Sequence, residues 1–178
     1  MPANIRPWRP EDTPGVVHVV KSVFDEYGFT WEEAGYHADL YDVQSHYIQA
    51  GHEFWVAEDD RGIVGTVALE TFPRLPGELG SLTKVGSQPR VAAADCSLER
   101  LYVLKEARRT GLGGNLVRTV LERAAQRGRT ALEMWSDKRF GDAHRLYARF
   151  GAQVVGDRIC HDPDQSPEWG LLVRLPAT

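Results

Sequence analysis

The chain has 178 residues, of which 42% are hydrophobic and 26% charged, and its formal net charge is −4. This length and composition predict a single domain over residues 1–178 with a soluble surface. A net negative charge without a long basic run argues against nucleic acid or an acidic membrane surface as the main partner.

Targeting segments and cysteine spacing bear on where in the cell the protein is located and on whether it binds a metal. The N-terminus lacks a basic segment followed by an apolar one, and no apolar stretch approaches membrane-spanning length. Cys96 and Cys160 lie far apart, outside the spacings of metal ligands or redox motifs. We therefore expect a cytoplasmic protein with two incidental thiols, no bound metal and no membrane partner.

The N-terminal half predicts a strand, two helices and a hairpin. The strand at 4–8 leads into a helix that Asp12 would cap and that Gly28 would end. The remaining N-terminal elements are a second helix at about 36–49 and hairpin strands at 54–58 and 63–69.

The C-terminal half alternates strands and helices. Residues 72–94 contain several prolines and glycines, and predict a long loop of the kind that often covers a binding site. The elements that follow are a fourth strand at 96–103, a helix at 111–127, a fifth strand at 131–135, a helix at 140–149 and a closing hairpin at 152–158 and 168–175. This alternation, with hairpins outside it, predicts an α/β fold with a mixed sheet flanked by helices.

Two arginines and three glycines lie between the fourth strand and the helix after it. Glycines at a helix entrance let a ligand approach the backbone, and the first amides of a helix have no acceptor within it. These donors and the positive end of the helix dipole favour a phosphate or pyrophosphate. Arg108 and Arg109 add positive charge. The turn therefore predicts binding of a phosphate-bearing small molecule.

Two other glycine-rich phosphate sites fit this turn poorly. A kinase-type phosphate loop requires Gly-Lys-Ser or Gly-Lys-Thr, whereas the chain has Gly113-Gly114-Asn115. A dinucleotide-binding fingerprint requires a small residue where Leu116 lies, and the rest of the chain is too short for the usual six-stranded sheet.

The motif Arg-x-x-Gly-x-Gly at 108–113, directly after a strand ending at Val103, resembles the acyl-CoA loop of the GNAT superfamily of N-acetyltransferases. Residues 143–152 resemble the second signature of that superfamily, with Ala152 where phenylalanine is usual. The N-terminal segments 5–12 and 62–69 agree as well, so the resemblance covers nearly the whole chain.

The resemblance implies a GNAT-like fold: a central mixed, mostly antiparallel sheet of about seven strands, splayed between the fourth and fifth strands. It also implies acetyl-CoA as cosubstrate, with the pantetheine arm along the fourth strand and the pyrophosphate at the glycine turn. The cofactor-binding residues carried over in this way are Leu101, Tyr102, Val103, Arg108, Arg109, Thr110, Gly111, Leu112, Gly113 and Gly114.

Two side chains are candidates for acid–base catalysis. Glu99 is the candidate base, because strand alternation places residues 97, 99, 101 and 103 on one face; many relatives carry the acid where this chain has Ser97. Tyr147 is the tyrosine of the second signature, which in relatives protonates the departing thiolate. A solvent-facing or ion-paired role for Glu99 and a packing role for Tyr147 are the alternatives. We interpret His144 as a surface or core residue.

The residues expected near the acceptor lie in two segments. Phe24 and Tyr27 belong to a stretch rich in aromatic and acidic residues that suits a small amine, although it could equally join two helices. Trp135, Asp137 and Arg139 lie at the end of the fifth strand, where substrate contacts tend to fall. Asp137 would receive a cationic amine and Arg139 a carboxylate or the cofactor, with helix capping as the alternative for Asp137.

Together these features predict an enzyme that moves an acetyl group from acetyl-CoA to the primary amine of a small molecule. The amine would attack directly in a ternary complex, without a metal or a covalent enzyme intermediate. A homodimer is expected because dimers are common in the family. The alternatives are a non-catalytic acyl-CoA-binding or regulatory module, since Ser97 and Ala152 depart from common family residues, and an acetyltransferase of protein N-termini or lysines.

Overall fold

A computed structural model describes residues 2–176 of the chain. The chain forms two compact units. Unit 1 contains the residues up to Glu70 and those from Arg100 to Val120, and unit 2 contains Thr71–Glu99 and the residues from Leu121 onward. Two elements contribute to both units, because β6 (Cys96–Val103) and α3 (Leu112–Gln126) cross the boundaries between them.

Each unit has its own elements. Those of unit 1 are β1 (Asn4–Pro7), α1 (Thr13–Tyr27), α2 (Ala38–Tyr41), β2 (Glu53–Asp59) and nearly all of β3 (Gly62–Thr71). Those of unit 2 are β4 (Leu82–Val85), β5 (Gln88–Val91), β7 (Ala131–Asp137), α4 (Gly141–Arg149), β8 (Gln153–Ile159) and β9 (Pro167–Arg174).

Seven of the strands form one sheet in the order β1-β2-β3-β6-β7-β9-β8, and β4 and β5 form a separate pair. The β6–β7 pairing is parallel, whereas β1–β2, β2–β3, β7–β9 and β8–β9 are antiparallel. The predicted fourth and fifth strands are β6 and β7. A mostly antiparallel sheet of seven strands with flanking helices, split between β6 and β7, confirms the predicted fold class. Among residues 2–176, no helix is both long and apolar enough to cross a membrane.

The start of α1 differs from the prediction, although its end does not. Gly28 adopts a left-handed conformation, with φ of 70°, and its amide donates to the carbonyl oxygens of Asp25 and Phe24, which ends the helix as predicted. Asp12, however, makes no side-chain cap. Its carboxylate accepts hydrogen bonds from the guanidinium of Arg6 at 2.7 and 2.8 Å and from the Arg9 amide at 2.8 Å, so it closes the turn before the helix.

The predicted helix at 36–49 is interrupted. Only Ala38–Tyr41 is α-helical, and a separate π-helical turn spans Gln44–Ile48. Asp42 between them has φ of −141° and ψ of 59°, and its carboxylate accepts a hydrogen bond from the Ser45 amide at 3.1 Å. Aspartate competes in this way with the helical hydrogen bonds of the backbone, which explains the break.

The segment at 72–94 contains regular structure where the sequence predicts only a loop. Its strands β4 and β5 pair around a turn at Gly86 and Ser87, with Gly86 at φ of 63°. The buried carboxylate of Glu133 on β7 accepts hydrogen bonds from the Arg90 side chain and, at 2.8 Å, from the Val91 amide. The partner that orders this hairpin therefore lies more than 40 residues away in the sequence, where local patterns do not reveal it.

An aromatic cluster in unit 1 surrounds a fully buried histidine. The His37 ring stacks on Trp31 at 3.8 Å between centroids and meets the Phe24 ring edge-on at 4.5 Å. Within the described chain, its Nε2 atom has no hydrogen-bond partner. Burial, together with the positive charge of Arg100, lowers the pKa of His37 from 6.5 to about 4. His37 is therefore neutral in the folded protein at pH 7.

This shift predicts an acid-sensitive stability. Between pH 6.5 and 4, His37 is protonated in the unfolded chain but neutral in the folded one. The stability contributed by neutral His37 is therefore complete above pH 6.5 and decreases as the pH falls toward 4. At pH 5 the decrease is about 2 kcal/mol. His37→Phe keeps the aromatic stack and should lose about that much less stability than the unmodified protein between pH 7 and pH 5 in urea unfolding. The exposed His46, changed to Gln, serves as the control; identical acid losses in all three proteins would refute the assignment.

Candidate active site

Asp95 fastens the start of β6 to the start of β7. Its carboxylate accepts hydrogen bonds from the Thr130 amide at 2.9 Å, the Thr130 hydroxyl at 3.0 Å and the Ala131 amide at 3.1 Å. Its own amide donates to the Ala131 carbonyl oxygen at 3.0 Å. Because one carboxylate satisfies three donors, the two strands begin in a fixed register within unit 2.

The pairing that follows is short. It joins Cys96 to Leu132 and Ser97 to Glu133, which are the only β6–β7 pairs in the described residues. Three positions further along β6, Arg100 has φ of 52°, a left-handed conformation that costs a non-glycine residue about 1 kcal/mol or more. The strand therefore leaves its regular course at Arg100, and the alternation expected from 97 to 103 is interrupted there.

Contacts within unit 1 hold Arg100 in this conformation. The Thr66 hydroxyl donates to the Arg100 carbonyl oxygen at 2.7 Å. The Arg100 guanidinium donates to both carboxylate oxygens of Asp39, at 2.9 and 2.7 Å, and to the Tyr36 carbonyl oxygen at 2.7 Å. The Tyr47 hydroxyl also donates to Asp39, at 2.6 Å. This largely buried network compensates for the strained backbone and fixes residues 36–39 to β6.

The glycine turn has the free donors that the sequence predicts. The first bond into α3 runs from the Asn115 amide to the Gly111 carbonyl oxygen at 3.0 Å. The amides of Gly111, Leu112, Gly113 and Gly114 donate to no acceptor in the described chain. Gly111 has φ of 86°, which suits glycine. Four consecutive amides at the positive end of a 15-residue helix form a site that fits a phosphate.

The two arginines of the turn differ in their contacts. Arg108 donates to both carboxylate oxygens of Glu26, at 2.9 and 2.7 Å, and to the Val103 carbonyl oxygen at 3.0 Å. These hydrogen bonds hold the pKa of Glu26 below its usual value. Arg109 is exposed, has φ of 61° and has no carboxylate partner in the described residues. Arg109 is therefore the cation available to a ligand, and Arg108 shapes the turn.

Thr110 and Gly65 complete the local packing of the turn. The Thr110 hydroxyl donates to the Ala107 carbonyl oxygen at 2.8 Å, so this contact holds the turn. Gly65 in β3 lets α3 approach closely, because a Cβ atom there would lie 3.1 Å from Leu116 and 3.4 Å from the Tyr102 carbonyl oxygen. The start of α3 is thus held against β3 in unit 1.

In unit 2, Glu99 is held by its neighbour on the same strand face. The buried Ser97 hydroxyl donates to the Glu99 carboxylate, which agrees with the predicted shared face of these two residues. Tyr147 on α4 is 5% exposed. Of the two predicted acid–base residues, Glu99 is therefore hydrogen-bonded to Ser97 and Tyr147 is buried.

The residues expected near the acceptor at the end of β7 make strong contacts of their own. Asp137 accepts hydrogen bonds from the Arg139 amide at 2.8 Å and from its guanidinium at 2.9 and 2.6 Å. Burial raises the pKa of Asp137, but these hydrogen bonds outweigh it and bring the pKa below its usual value. Trp135 donates to Glu133 at 3.0 Å, and the guanidinium of Arg158 covers one face of its ring at 4.1 Å.

Phe24 and Tyr27 have different surroundings in unit 1. Phe24 is 4% exposed inside the aromatic cluster around His37, which favours the structural alternative for this residue. Tyr27 is 38% exposed and stacks on Phe29 at 5.5 Å between ring centroids, so it remains accessible to a ligand.

Four residues of this region are absent from the sequence-based set. In the sequence, Asp95 and Arg100 are charged residues in a largely apolar stretch, and nothing nearby indicates their hydrogen-bond partners. Ser136 and His144 form a hydrogen bond at 3.0 Å between Oγ and Nε2 that joins β7 to α4. The second signature contains His144, but its spacing alone does not reveal the serine partner.

Residues 18–152, about three quarters of the chain, match the model of the acetyltransferase (GNAT) family. The chain belongs to this family. The GNAT assignment confirms the resemblance described above and makes the protein an acyltransferase. The matched residues include the glycine turn, β6, β7 and the signature on α4.

Relatives and solved structures agree with this assignment. The chain is 28% identical over 161 residues to the N-acetyltransferase YjgM of Escherichia coli K12, covering 85% of this chain and 87% of that protein. It is 32% identical over 119 residues, 67% of its length, to N-acetyltransferase family 8 member 2 of Rattus norvegicus, of which it spans about half (46%).

Two crystal structures share the fold. An acetyltransferase from Streptococcus agalactiae aligns with a TM-score of 0.75 and 14% identity, covering 98% of this chain and 99% of that one. A GNAT superfamily phosphinothricin acetyltransferase from Sinorhizobium meliloti, in complex with AcCoA, aligns with a TM-score of 0.70 and 18% identity over 98% and 89% of the two chains.

The Arg100 network predicts a large cost when Asp39 loses its charge. Asp39→Asn leaves a buried guanidinium without its anionic partner, and should lower the free energy of unfolding by about 3 kcal/mol in urea titrations. Asp25→Asn is the control, because Asp25 pairs with Lys21 on the exposed face of α1 and its loss should cost less than about 1 kcal/mol. Equal effects of the two substitutions would contradict the importance of the buried pair.

Proposed function

We propose that this GNAT protein transfers an acetyl group from acetyl-CoA to the primary amine of a small molecule, by direct attack in a ternary complex. Family membership supports acyl transfer. The observation that carries the choice of donor is the row of four amides at residues 111–114 that have no acceptor in the described chain, beside the exposed Arg109. Together they match the charge and hydrogen-bonding capacity of the pyrophosphate of coenzyme A.

The proposed cofactor set assigns distinct tasks to the residues of the turn. The amides of 111–114 and the Arg109 guanidinium would bind the pyrophosphate. Arg108 and Thr110 would hold the turn in shape through Glu26 and the Ala107 carbonyl oxygen. The backbone of residues 101–103 would bind the pantetheine arm, as the family resemblance implies.

Calorimetric titration with CoA tests the binding site. Arg109→Ala should weaken binding by roughly tenfold or more, which corresponds to the loss of one charge-assisted hydrogen bond of about 1.5–3 kcal/mol. Arg123→Ala removes an exposed arginine near the far end of α3, away from the turn, and should leave the affinity for CoA unchanged. If the unmodified protein takes up no CoA, or if both substitutions weaken it equally, the proposed site is wrong.

The proposed chemistry needs one base and one acid. The amine nitrogen forms a bond to the acetyl carbon while the carbon–sulfur bond breaks. Glu99, held by Ser97, would take a proton from the amine, and Tyr147 would give its phenolic proton to the departing thiolate. A phenol carries a proton that it can donate at neutral pH, as this task requires.

Substitution of each group tests these roles. Glu99→Gln should lower kcat at least about 100-fold and remove the acidic limb of the pH–rate profile, because the amide cannot accept the proton. Tyr147→Phe should lower kcat with the calorimetric affinity for CoA unchanged. The exposed Glu122→Gln on α3 is the matched control and should retain full turnover. Unchanged kcat and pH profile in Glu99→Gln would exclude Glu99 as the base.

A panel of amines and amino-terminal peptides, scored by release of free thiol from acetyl-CoA, separates the alternatives. Turnover with small amines supports the proposal, and turnover with peptides alone would favour a protein acetyltransferase. CoA binding without thiol release for any acceptor would favour a non-catalytic module. Two buried free cysteines support a cytoplasmic location, and the homodimer stays a prediction.

A further inference from the structure

We propose that Gly170 opens the acceptor site to branched primary amines, in which the carbon bearing the nitrogen carries two carbon substituents instead of one. The glycine lets the indole of Trp135 lie over β9, and this leaves room for the second substituent beside Glu99. The inference rests on the proposed function and names the class of amine that would be acetylated.

Glu99 and Trp135 lie on the same face of the sheet, on neighbouring strands of unit 2. Ser97 on β6 pairs with Glu133 on β7. The Ser97 hydroxyl donates to the Glu99 carboxylate, and Nε1 of Trp135 donates to Glu133 at 3.0 Å, so all four side chains share that face. Glu99 and Trp135 each follow the last β6–β7 pair of the described residues by two positions. An amine that gives its proton to Glu99 would therefore lie next to the Trp135 position of β7.

The Trp135 indole points away from Glu99. In the order of the sheet, β6 and β9 lie on opposite sides of β7, and Gly170 is the β9 residue opposite Trp135. A Cβ atom at position 170 would lie 2.6 Å from Cη2 and 2.8 Å from Cζ3 of the indole. The six-membered ring therefore covers the bare backbone of Gly170, on the far side of β7 from the predicted base.

A guanidinium holds the indole in this position. Arg158 covers one face of the ring, at 4.1 Å from its centroid. Arg158 is itself fixed, because it donates to the Glu168 carboxylate at 2.8 Å and to the Pro89 carbonyl oxygen at 3.1 Å. The ring cannot rise from the sheet without displacing Arg158. A side chain at position 170 would therefore turn the ring back toward β6, into the space beside the predicted base.

The space beside Glu99 determines which substituents an acceptor can carry. A base that takes a proton from an amine lies roughly 3 Å from its nitrogen. The substituents on the adjacent carbon are then close to the base as well. With the indole over β9, a second substituent has room on the β7 side, whereas a ring turned toward β6 would occupy that place. In a confined pocket, one methylene group changes discrimination roughly 10–200-fold.

Ratios of kcat/KM for paired amines, measured by thiol release, test the role of Gly170. The pairs are leucinamide with glycinamide and sec-butylamine with n-butylamine, which within each pair have similar basicity and differ in the branch. For the unmodified protein the ratio of branched to unbranched amine should be about one or higher, and Gly170→Ala should lower it at least about tenfold. Trp135→Ala added to Gly170→Ala should restore it, because the turned ring is removed. Both amines are measured on one preparation, so the ratio does not depend on the folded fraction.

Gly156→Ala is the matched control. Gly156 lies opposite Gly170 on β8, one strand further from Glu99. A Cβ atom at position 156 would lie 2.5 Å from Cδ1 of Leu82, whose side chain is 36% exposed and can move aside. This substitution should therefore leave both ratios within about twofold of the unmodified values. Trp135→Ala alone should not lower the ratios either, because the indole already lies away from the acceptor.

The failures of the two proposals differ. A ratio well below one in the unmodified protein, no change in Gly170→Ala, an equal fall in Gly156→Ala, or no recovery in the double variant would each overturn the role of Gly170. If Gly170→Ala does not fold, Trp135→Ala alone decides, because a lowered ratio would mean that the indole itself binds the branch. In all these cases thiol release still supports acetyl transfer. No thiol release from the unmodified protein with any of the four amines would count against the proposed function, and this inference would fail with it.

Discussion

The candidate site depends on one constraint: β6 pairs with β7 at its start and with no described residue of β7 afterwards. Two charged groups enforce this from separate parts of the chain. Asp95 satisfies three donors at the start of β7 and fixes the register of the first two residue pairs. Arg100 then adopts a left-handed backbone conformation that a continuous strand does not allow, and Asp39 and Thr66 compensate for its strain. The carboxylate of Asp95 thus lies where the two strands are paired, and the guanidinium of Arg100 lies where β6 leaves its regular course.

In the glycine turn, one arginine supports the loop and the other is left exposed. Backbone amides can bind an anion only if nothing in the protein competes for them, and a loop with so many free donors needs support from its side chains. Arg108 gives that support through Glu26 and Val103, so its charge is already neutralised, whereas Arg109 remains exposed. Two adjacent residues of the same type thus act differently because one of them faces a carboxylate of α1. A motif that names both arginines as ligands does not distinguish them.

The sequence predicts the elements whose signals are local. Gly28 ends α1, and the strands and helices from β6 to β9 begin and end within two residues of their predicted positions, because glycine stops and apolar periodicity depend on near neighbours. The errors arise where a residue outside the element itself determines the local structure. Asp12 turns to Arg6 instead of capping its helix, and Glu133 orders a hairpin more than 40 residues before it. The same reason hides the pair of Ser136 and His144, since neither side chain indicates the other until β7 and α4 are folded together.

The pairing of Asp137 with Arg139 bears on how an acceptor would be recognised. Arg139 matches the charge of Asp137 at 2.6 Å, and moving Arg139 to a ligand would leave the largely buried Asp137 carboxylate without that partner. An ammonium ion entering near the split in unit 2 would therefore gain little from Asp137. If Glu99 is the base, as proposed, its carboxylate would also have to attract the cation, and the Ser97 hydroxyl donates a hydrogen bond to that carboxylate. A serine hydroxyl is a neutral donor, so this hydrogen bond orients the carboxylate without itself removing the negative charge that the proposed role requires.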